Sequence, residues 1–176
     1  ILILSSTKLN VDLLNEDGNE DNVIIPGVAA LKIAQAVGVS TKPIVVCNAC
    51  ISGVSAMILG NRLLELGLYN HAIVCGVDVQ SPFVVSGFYS FKALSEEPCR
   101  PCDIERLGLN LGEGVATVVL SHLPKDNVSK WHIKKGAMRN DAFHITSPSP
   151  QGDGCLKSIQ SVIEGFDVGS IALINA

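Results

Sequence analysis

The sequence predicts an α/β fold, and three observations predict it. Short apolar segments of strand length alternate with longer segments of helical spacing. Hydrophobic residues make up 47% of the chain and charged residues 17%, a composition suited to parallel strands covered on both faces. Glycine and proline mark the ends of many of these segments. At 176 residues the chain is long enough to bury a sizeable core.

Taken in order, residues 1–5 are almost wholly apolar, as an interior strand should be. Residues 15–22 are acidic and rich in Asn and Gly, which predicts a loop. Pro26 can open a helix, residues 28–37 carry helical spacing, and Gly38 stops it. Residues 43–47 read as the next strand. Residues 51–66 place Val54, Met57, Ile58, Leu63 and Leu66 near an i, i+3, i+4, i+7 pattern, and Gly67 ends that helix. Strands are expected at 71–77, 114–120, 131–136 and 171–175, with a Ser/Pro/Gly-punctuated segment at 81–95 and a helix over 155–164. No internal repeat, linker or low-complexity tract is present.

A net charge of −4 gives no reason to expect nucleic acid or a membrane surface as partner. No apolar run approaches the roughly 18 residues of a membrane span. Six cysteines are too few for a disulfide scaffold. Without a leader pattern at Ile1, they are expected to be reduced and the chain cytoplasmic. Both ends fall within strand-like segments, so the chain is expected to be a portion of a longer fold.

The segment 43–53, Pro-Ile-Val-Val-Cys-Asn-Ala-Cys-Ile-Ser-Gly, holds the chief candidate for chemistry. It runs from a strand into a helix and sets Cys50 at the first helical turn. There, free N–H groups and the positive end of the helix dipole favour a thiolate. Ser52 and Gly53 are small enough for a substrate to come close. Taken alone, Cys50 has three readings. It is a small buried hydrophobe, part of a metal or redox site, or a nucleophile. Cys47 and Cys50 form one C-x-x-C and Cys99 and Cys102 another, but the gap between them far exceeds the roughly 15–20 residues of a zinc site. A side chain at Cys47, within the strand, would also point away from a site at the helix start.

The surrounding residues favour the nucleophile. Asn48-Ala49-Cys50-Ile51-Ser52-Gly53 resembles the nucleophile motif of the β-ketoacyl–acyl carrier protein synthases, condensing enzymes of the thiolase superfamily. Cys75-Gly76-Val77-Asp78 and Phe91-Lys92-Ala93-Leu94-Ser95 are similar to later segments of these enzymes. Arg100-Pro101-Cys102-Asp103, with Arg106, Gly108 and Leu111-Gly112-Glu113-Gly114, resembles their Arg-Pro-Phe-Asp…Arg-x-Gly…Gly-Glu-Gly signature. Asn140-Asp141-Ala142-Phe143-His144-Ile145-Thr146 resembles their Asp-Ala-Tyr/Phe-His-Ile-Thr loop. Cys102 departs from the usual aromatic, Asn48 from a common Thr, and Leu109-Asn110 from a more usual aromatic pair. The family's two histidines, in a His-Gly-Thr and a later Gly-His motif with a nearby Lys, do not occur in these 176 residues.

The resemblance implies a five-layered αβαβα sandwich, incomplete here. Residues 1–125 would form most of a first half and 126–176 the start of a second. It implies a decarboxylative Claisen condensation in fatty-acid or polyketide-type synthesis: Cys50 takes an acyl group from an acyl carrier protein, and a malonyl-derived enolate attacks it. No cofactor is implied beyond carrier-bound phosphopantetheine. His144 and Asp141 would belong to a gate at the pantetheine entrance, Phe88 to the acyl pocket, and Lys92 to the carrier-protein contact. Met57 would line the acyl tunnel or simply pack the helix. Glu113, Arg100, Asp103 and Arg106 read as turn-fixing and ion-pairing residues, and His71, His122 and His132 as structural or solvated. A homodimer or ketosynthase heterodimer is implied, formed through an edge strand expected at residues 72–78. The alternative is a non-catalytic, chain-length-factor-type partner that binds the carrier protein, against which Cys50 argues. In isolation the segment is expected to show little or no condensation.

Overall fold

A computed structural model describes residues 1–15, 23–122, 131–144 and 148–175. It forms two compact units, Ile1–Asp126 and Asn127–Ala176.

The first unit is built on a four-stranded sheet in the order β2-β1-β3-β4. The strands are β1 (Leu2–Ser5), β2 (Ile44–Val46), β3 (His71–Asp78) and β4 (Gly114–Ser121). β1 pairs in parallel with β2 and β3, while β4 runs antiparallel to β3. The sheet is therefore mixed. β3 lies inside it, which corrects the expectation that residues 72–78 form an edge; the outermost strands are β2 and β4. The eight-residue pairing of β3 with β4 occupies the side that an edge would leave open. The parallel strand β1 is buried throughout, whereas Val115 and Val119 of the antiparallel β4 remain 70% and 62% exposed.

Helices α1 (Pro26–Ala36) and α2 (Ser52–Glu65) make the parallel crossovers. Both stop where glycine predicts. Gly38 and Gly67 take left-handed φ angles of 74° and 70°. Their N–H groups, and those of the residues after them, donate to carbonyls of the last turn. The core gathers Ile3, Ala56, Leu64, Ala72 and Val74, with Met57, Leu63 and Leu120 packed against it. Gly60 lets the strands and α2 pack closely here: a Cβ there would stand 3.1 Å from Leu120 Cδ1 and 3.4 Å from Ile3 Cδ1, so those side chains would have to give by a few tenths of an ångström.

Two elements of this unit escape the periodicity. Val11–Asn15 forms a 3-10 turn, and α3 (Pro82–Ser90) is a helix inside the segment read as punctuated loop. Ser81 caps α3, its hydroxyl accepting the Val84 N–H. At the other end Lys92 N–H donates to Tyr89 O and Ala93 N–H to Phe88 O, a Schellman closure with lysine where glycine is usual. Lys92 pays for it with a φ of 53°. Lys92→Gly is therefore expected to stabilise the fold by about 1 kcal/mol, read as a thermal midpoint about 2–4 °C higher.

The second unit carries α4 (Asp153–Ile163) and a 3-10 turn at Val168–Ser170. Residues 131–136 and 171–175, expected as strands, are not strands. Apolar content alone does not make a strand; a ladder partner is needed, and among the described residues neither segment has one. Most of the predicted acidic loop at 15–22, the expected 125/126 boundary, and Ile145 and Thr146 lie outside the described residues.

A candidate acyl-accepting site at the switch point of the sheet

The strand order locates a site before any side chain is considered. From β1 the chain steps to one side to make β2, then crosses back to the other side to make β3. Helices and loops leaving β1 and its neighbour in opposite directions open a crevice at their carboxyl ends, where ligands bind in open α/β sheets. Ser5 ends β1, Asp78 ends β3, and the chain leaving β2 reaches Cys50 four residues later. A cleft of about 370 Å³ occupies this place, lined by Cys50, Ser5, Gly53, Gly76, Asp78 and the start of β4.

Cys50 is exposed and free. It sits two residues ahead of Ser52, the first residue of α2, rather than within the first turn as the sequence suggests. The reason is a tight elbow between strand and helix. Ala49 adopts a left-handed φ of 46°, a conformation unfavourable for a residue with a Cβ. Ser52 holds the elbow shut: its hydroxyl accepts the Asn48 N–H at 2.8 Å and donates to Ala49 O at 2.6 Å. Asn48 Nδ2 donates to Ser55 Oγ at 3.0 Å. Ser52 and Ser55 are buried, so Ser52 serves as an internal clamp in addition to being small. Sequence reading missed that role, although serines near helix starts readily bond neighbouring backbone groups.

Asp78 fixes the opposite wall. Its Oδ1 accepts the Thr7 N–H and hydroxyl, both at 2.8 Å, and the Ser6 hydroxyl at 3.1 Å. Cys47 turns away from the cleft and donates its thiol to Thr7 O at 3.3 Å. Cys99 and Cys102 line a separate cavity with Arg100 and Arg106, so the structure does not gather the two C-x-x-C pairs in either cavity.

Met57 packs half-buried against the core and does not line the cleft. Phe88 lies half-buried on α3, and Lys92 is exposed just beyond that helix. Glu113 accepts the Gln80 N–H at 2.8 Å, the turn-fixing contact expected of it. Arg100 pairs with Asp103 at 3.5 Å, and Arg106 donates to Asp103 O. His71 Nδ1 lies 2.9 Å from Ser121 Oγ, a contact between paired strands.

In the second unit Asp141 is anchored to α4. Its carboxylate accepts the Ser149 N–H at 2.6 Å and the Gly154 N–H at 3.2 Å. A Cβ on Gly154 would come within 3.0 Å of Asp141 Cβ. His144 is exposed three residues on. The Ser149 N–H, together with the Ser149 hydroxyl, the Gly154 N–H and the Lys157 charge, holds the Asp141 carboxyl below its ordinary value against an opposing effect of burial. A carboxyl lowered on folding contributes stability above its unfolded value of about 4, and that contribution is lost as pH falls through the lower folded value. Acidification below about pH 4 is expected to release the 141–154 contacts, read as loss of amide protection at Ser149 and Gly154. Asp141→Asn should abolish that acid sensitivity.

Comparison with known proteins identifies the family of the chain. Residues 6–126 match the family described as Beta-ketoacyl synthase, N-terminal domain. The chain is 33% identical over 147 residues to 3-oxoacyl-[acyl-carrier-protein] synthase 2 of Rhizobium meliloti (strain 1021), covering 74% of this chain and 34% of that protein. It therefore spans about a third of that relative's length. A crystal structure of a β-ketoacyl synthase from Burkholderia phymatum STM815 superposes with a TM-score of 0.77 at 21% identity, covering 99% of this chain and 49% of that one. A ketosynthase in complex with its chain length factor, from Xenorhabdus doucetiae, gives a TM-score of 0.68 at 24% identity over 93% of this chain and 44% of that one. With the family matched over residues 6–126 and a relative 33% identical over 147 residues, the chain belongs to the β-ketoacyl synthase family, and its α/β fold is the one shared by the solved β-ketoacyl synthase.

Proposed function

We propose that this chain carries the acyl-accepting half of a β-ketoacyl–acyl carrier protein synthase, with Cys50 as nucleophile. The observation that carries this reading is the exposed Cys50 thiol at the mouth of the switch-point cleft, on an elbow clamped by Ser52. The Cys50 sulfur adds to the thioester carbonyl of a pantetheine-bound acyl chain. A sulfur–carbon bond forms to Cys50, the pantetheine carbon–sulfur bond breaks, and the released thiol takes up the proton that Cys50 gave. The developing oxyanion needs fixed donors, and the Cys50 N–H is one candidate. A malonyl thioester then loses carbon dioxide, and its enolate carbon bonds to the acyl-Cys50 carbonyl carbon as the Cys50 sulfur–carbon bond breaks, returning the Cys50 thiolate and releasing the β-ketoacyl thioester. The enolate's donors would be the two family histidines, which residues 1–176 do not include, so this chain alone is expected not to condense.

Acyl carrier protein is the proposed donor, with Lys92, exposed beyond α3, meeting its acidic surface. The loop bearing Asp141 and His144 would gate the pantetheine entrance, and Phe88 would shape the acyl pocket. Substrates arrive on phosphopantetheine, and no other cofactor is proposed. A homodimer or a ketosynthase heterodimer would use β2 or β4, the outer strands. Incubation of the full chain with an acyl-carrier thioester, followed by peptide mapping, tests the assignment. Acyl mass on Cys50 is expected. Acyl mass elsewhere, or none, removes it and favours the non-catalytic partner reading, which the solved ketosynthase–chain length factor complex keeps open.

A further inference from the structure

Ser5 is the last residue of β1 and only 3% exposed, yet it lines the same cleft as Cys50. Its neighbour Ser6 is equally buried and fully used, donating to Asp78 Oδ1 and accepting the Leu9 N–H. Among the described residues, by contrast, the Ser5 hydroxyl makes no hydrogen bond. Buried hydroxyls are ordinarily paired, and each exception calls for an explanation. Two glycines open the space around this one. A Cβ at Gly76 would stand 3.1 Å from Ser5 Oγ, and one at Gly53, in the first turn of α2, 3.9 Å away. The oxygen therefore faces the room between the end of β3 and the start of α2, on the floor of the cleft beside the Cys50 elbow.

We propose that the Ser5 hydroxyl donates a hydrogen bond to the carbonyl oxygen of the group carried on Cys50. A donor fixed in a cleft strengthens its bond as the carbonyl gains negative charge. Ser5 thus stabilises the tetrahedral species formed when Cys50 sulfur bonds to the acyl carbon, which collapses to acyl-Cys50 as the donor carbon–sulfur bond breaks and the donor thiol leaves. It then holds the acyl-Cys50 thioester in one orientation. This rests on the reading of Cys50 as acyl acceptor, and the Ser5 hydroxyl is a binding group for the acyl oxygen. The strand position explains its precision: Ser5 is held between Val46 and Gly76 by parallel pairing on both sides.

The test compares the full chain with Ser5→Ala, using acetyl-N-acetylcysteamine carrying a ¹³C carbonyl and, separately, iodoacetamide labelled the same way. Acetylation of Cys50 is expected to slow by about tenfold or more in the variant. Alkylation by iodoacetamide, which passes through no carbonyl addition, should stay unchanged. The carbonyl stretch of both Cys50 adducts should rise in frequency when the hydroxyl is gone. The thermal midpoint should not fall, because the hydroxyl holds nothing else in the fold. Equal acetylation rates, or a parallel loss of alkylation, would overturn the proposal. If Cys50 takes no acetyl group in the unaltered chain, the reading of Cys50 falls by itself. Ser5 is then judged on carbamidomethyl-Cys50, where an unshifted carbonyl band overturns its role and a shifted one upholds it.

Discussion

Replacing Cys50 with alanine should abolish acyl uptake, lowering transfer from a carrier thioester by 10⁴-fold or more, on the order seen when a nucleophile is deleted. No other group lining the cleft matches a thiolate: the Ser52 hydroxyl is engaged with Asn48 and Ala49, Asp78 Oδ1 holds Ser6 and Thr7, and the Ser5 hydroxyl has no base beside it among the described residues to take its proton. Cys50→Ser separates two effects. The oxygen nucleophile keeps the volume of the site but is far less nucleophilic than a thiolate, so it too should accept little acyl group. Neither change should disturb the fold, because Cys50 is exposed and the elbow is held by Ser52 and Asn48. Intact-mass measurement after exposure to the acyl donor reads the result directly. An adduct that persists in Cys50→Ala would move the nucleophile elsewhere.

The second large effect concerns stability. Ile3→Ala should cost about 3 kcal/mol, within the range for deleting a large buried aliphatic side chain. Ile3 is fully buried and packs among Ala56, Leu64, Ala72 and Val74. The urea midpoint should fall with the slope unchanged. Gly60 offers a check on mechanism, since a Cβ there would stand 3.4 Å from Ile3 Cδ1. In the unaltered chain Gly60→Ala crowds the core, whereas in the Ile3→Ala background it should recover part of the loss by filling the vacated space. Additive effects of the two changes would mean that they do not share one packing site.

Much of this arrangement was legible in the order of residues. α1, α2 and α4 follow from apolar spacing, and Gly38 and Gly67 stop their helices because only glycine takes a left-handed turn without cost. The parallel core strands were readable as near-continuous apolar runs. α3 was not, because its serines, proline and glycine resemble loop punctuation; the cap at Ser81 and the closing hydrogen bonds of Lys92 and Ala93 decide it instead. The segments at 131–136 and 171–175 were over-read because a strand is a property of a pair, and one segment carries no record of its partner. The same limit hid the place of β3, whose antiparallel neighbour lies 36 residues further on, from Asp78 to Gly114. Within the site, Cys50 was legible from its motif, whereas Ser5 was not. A serine closing an apolar strand carries no local mark, and only the glycines of two distant segments give its oxygen an open side.

The outer strand β4 has a practical consequence for anyone handling the protein. Its sequence from Gly114 to Ser121 contains no charged residue, and its valines stand largely in solvent. Among the described residues nothing pairs with its free border. Charged or kinked outer strands ordinarily keep sheets from adding to one another, and neither device is present here. With a net charge of only −4 spread over 176 residues, electrostatic repulsion between molecules is weak. Concentrated solutions of this chain should therefore cluster by intermolecular strand addition, with β4 as the seed.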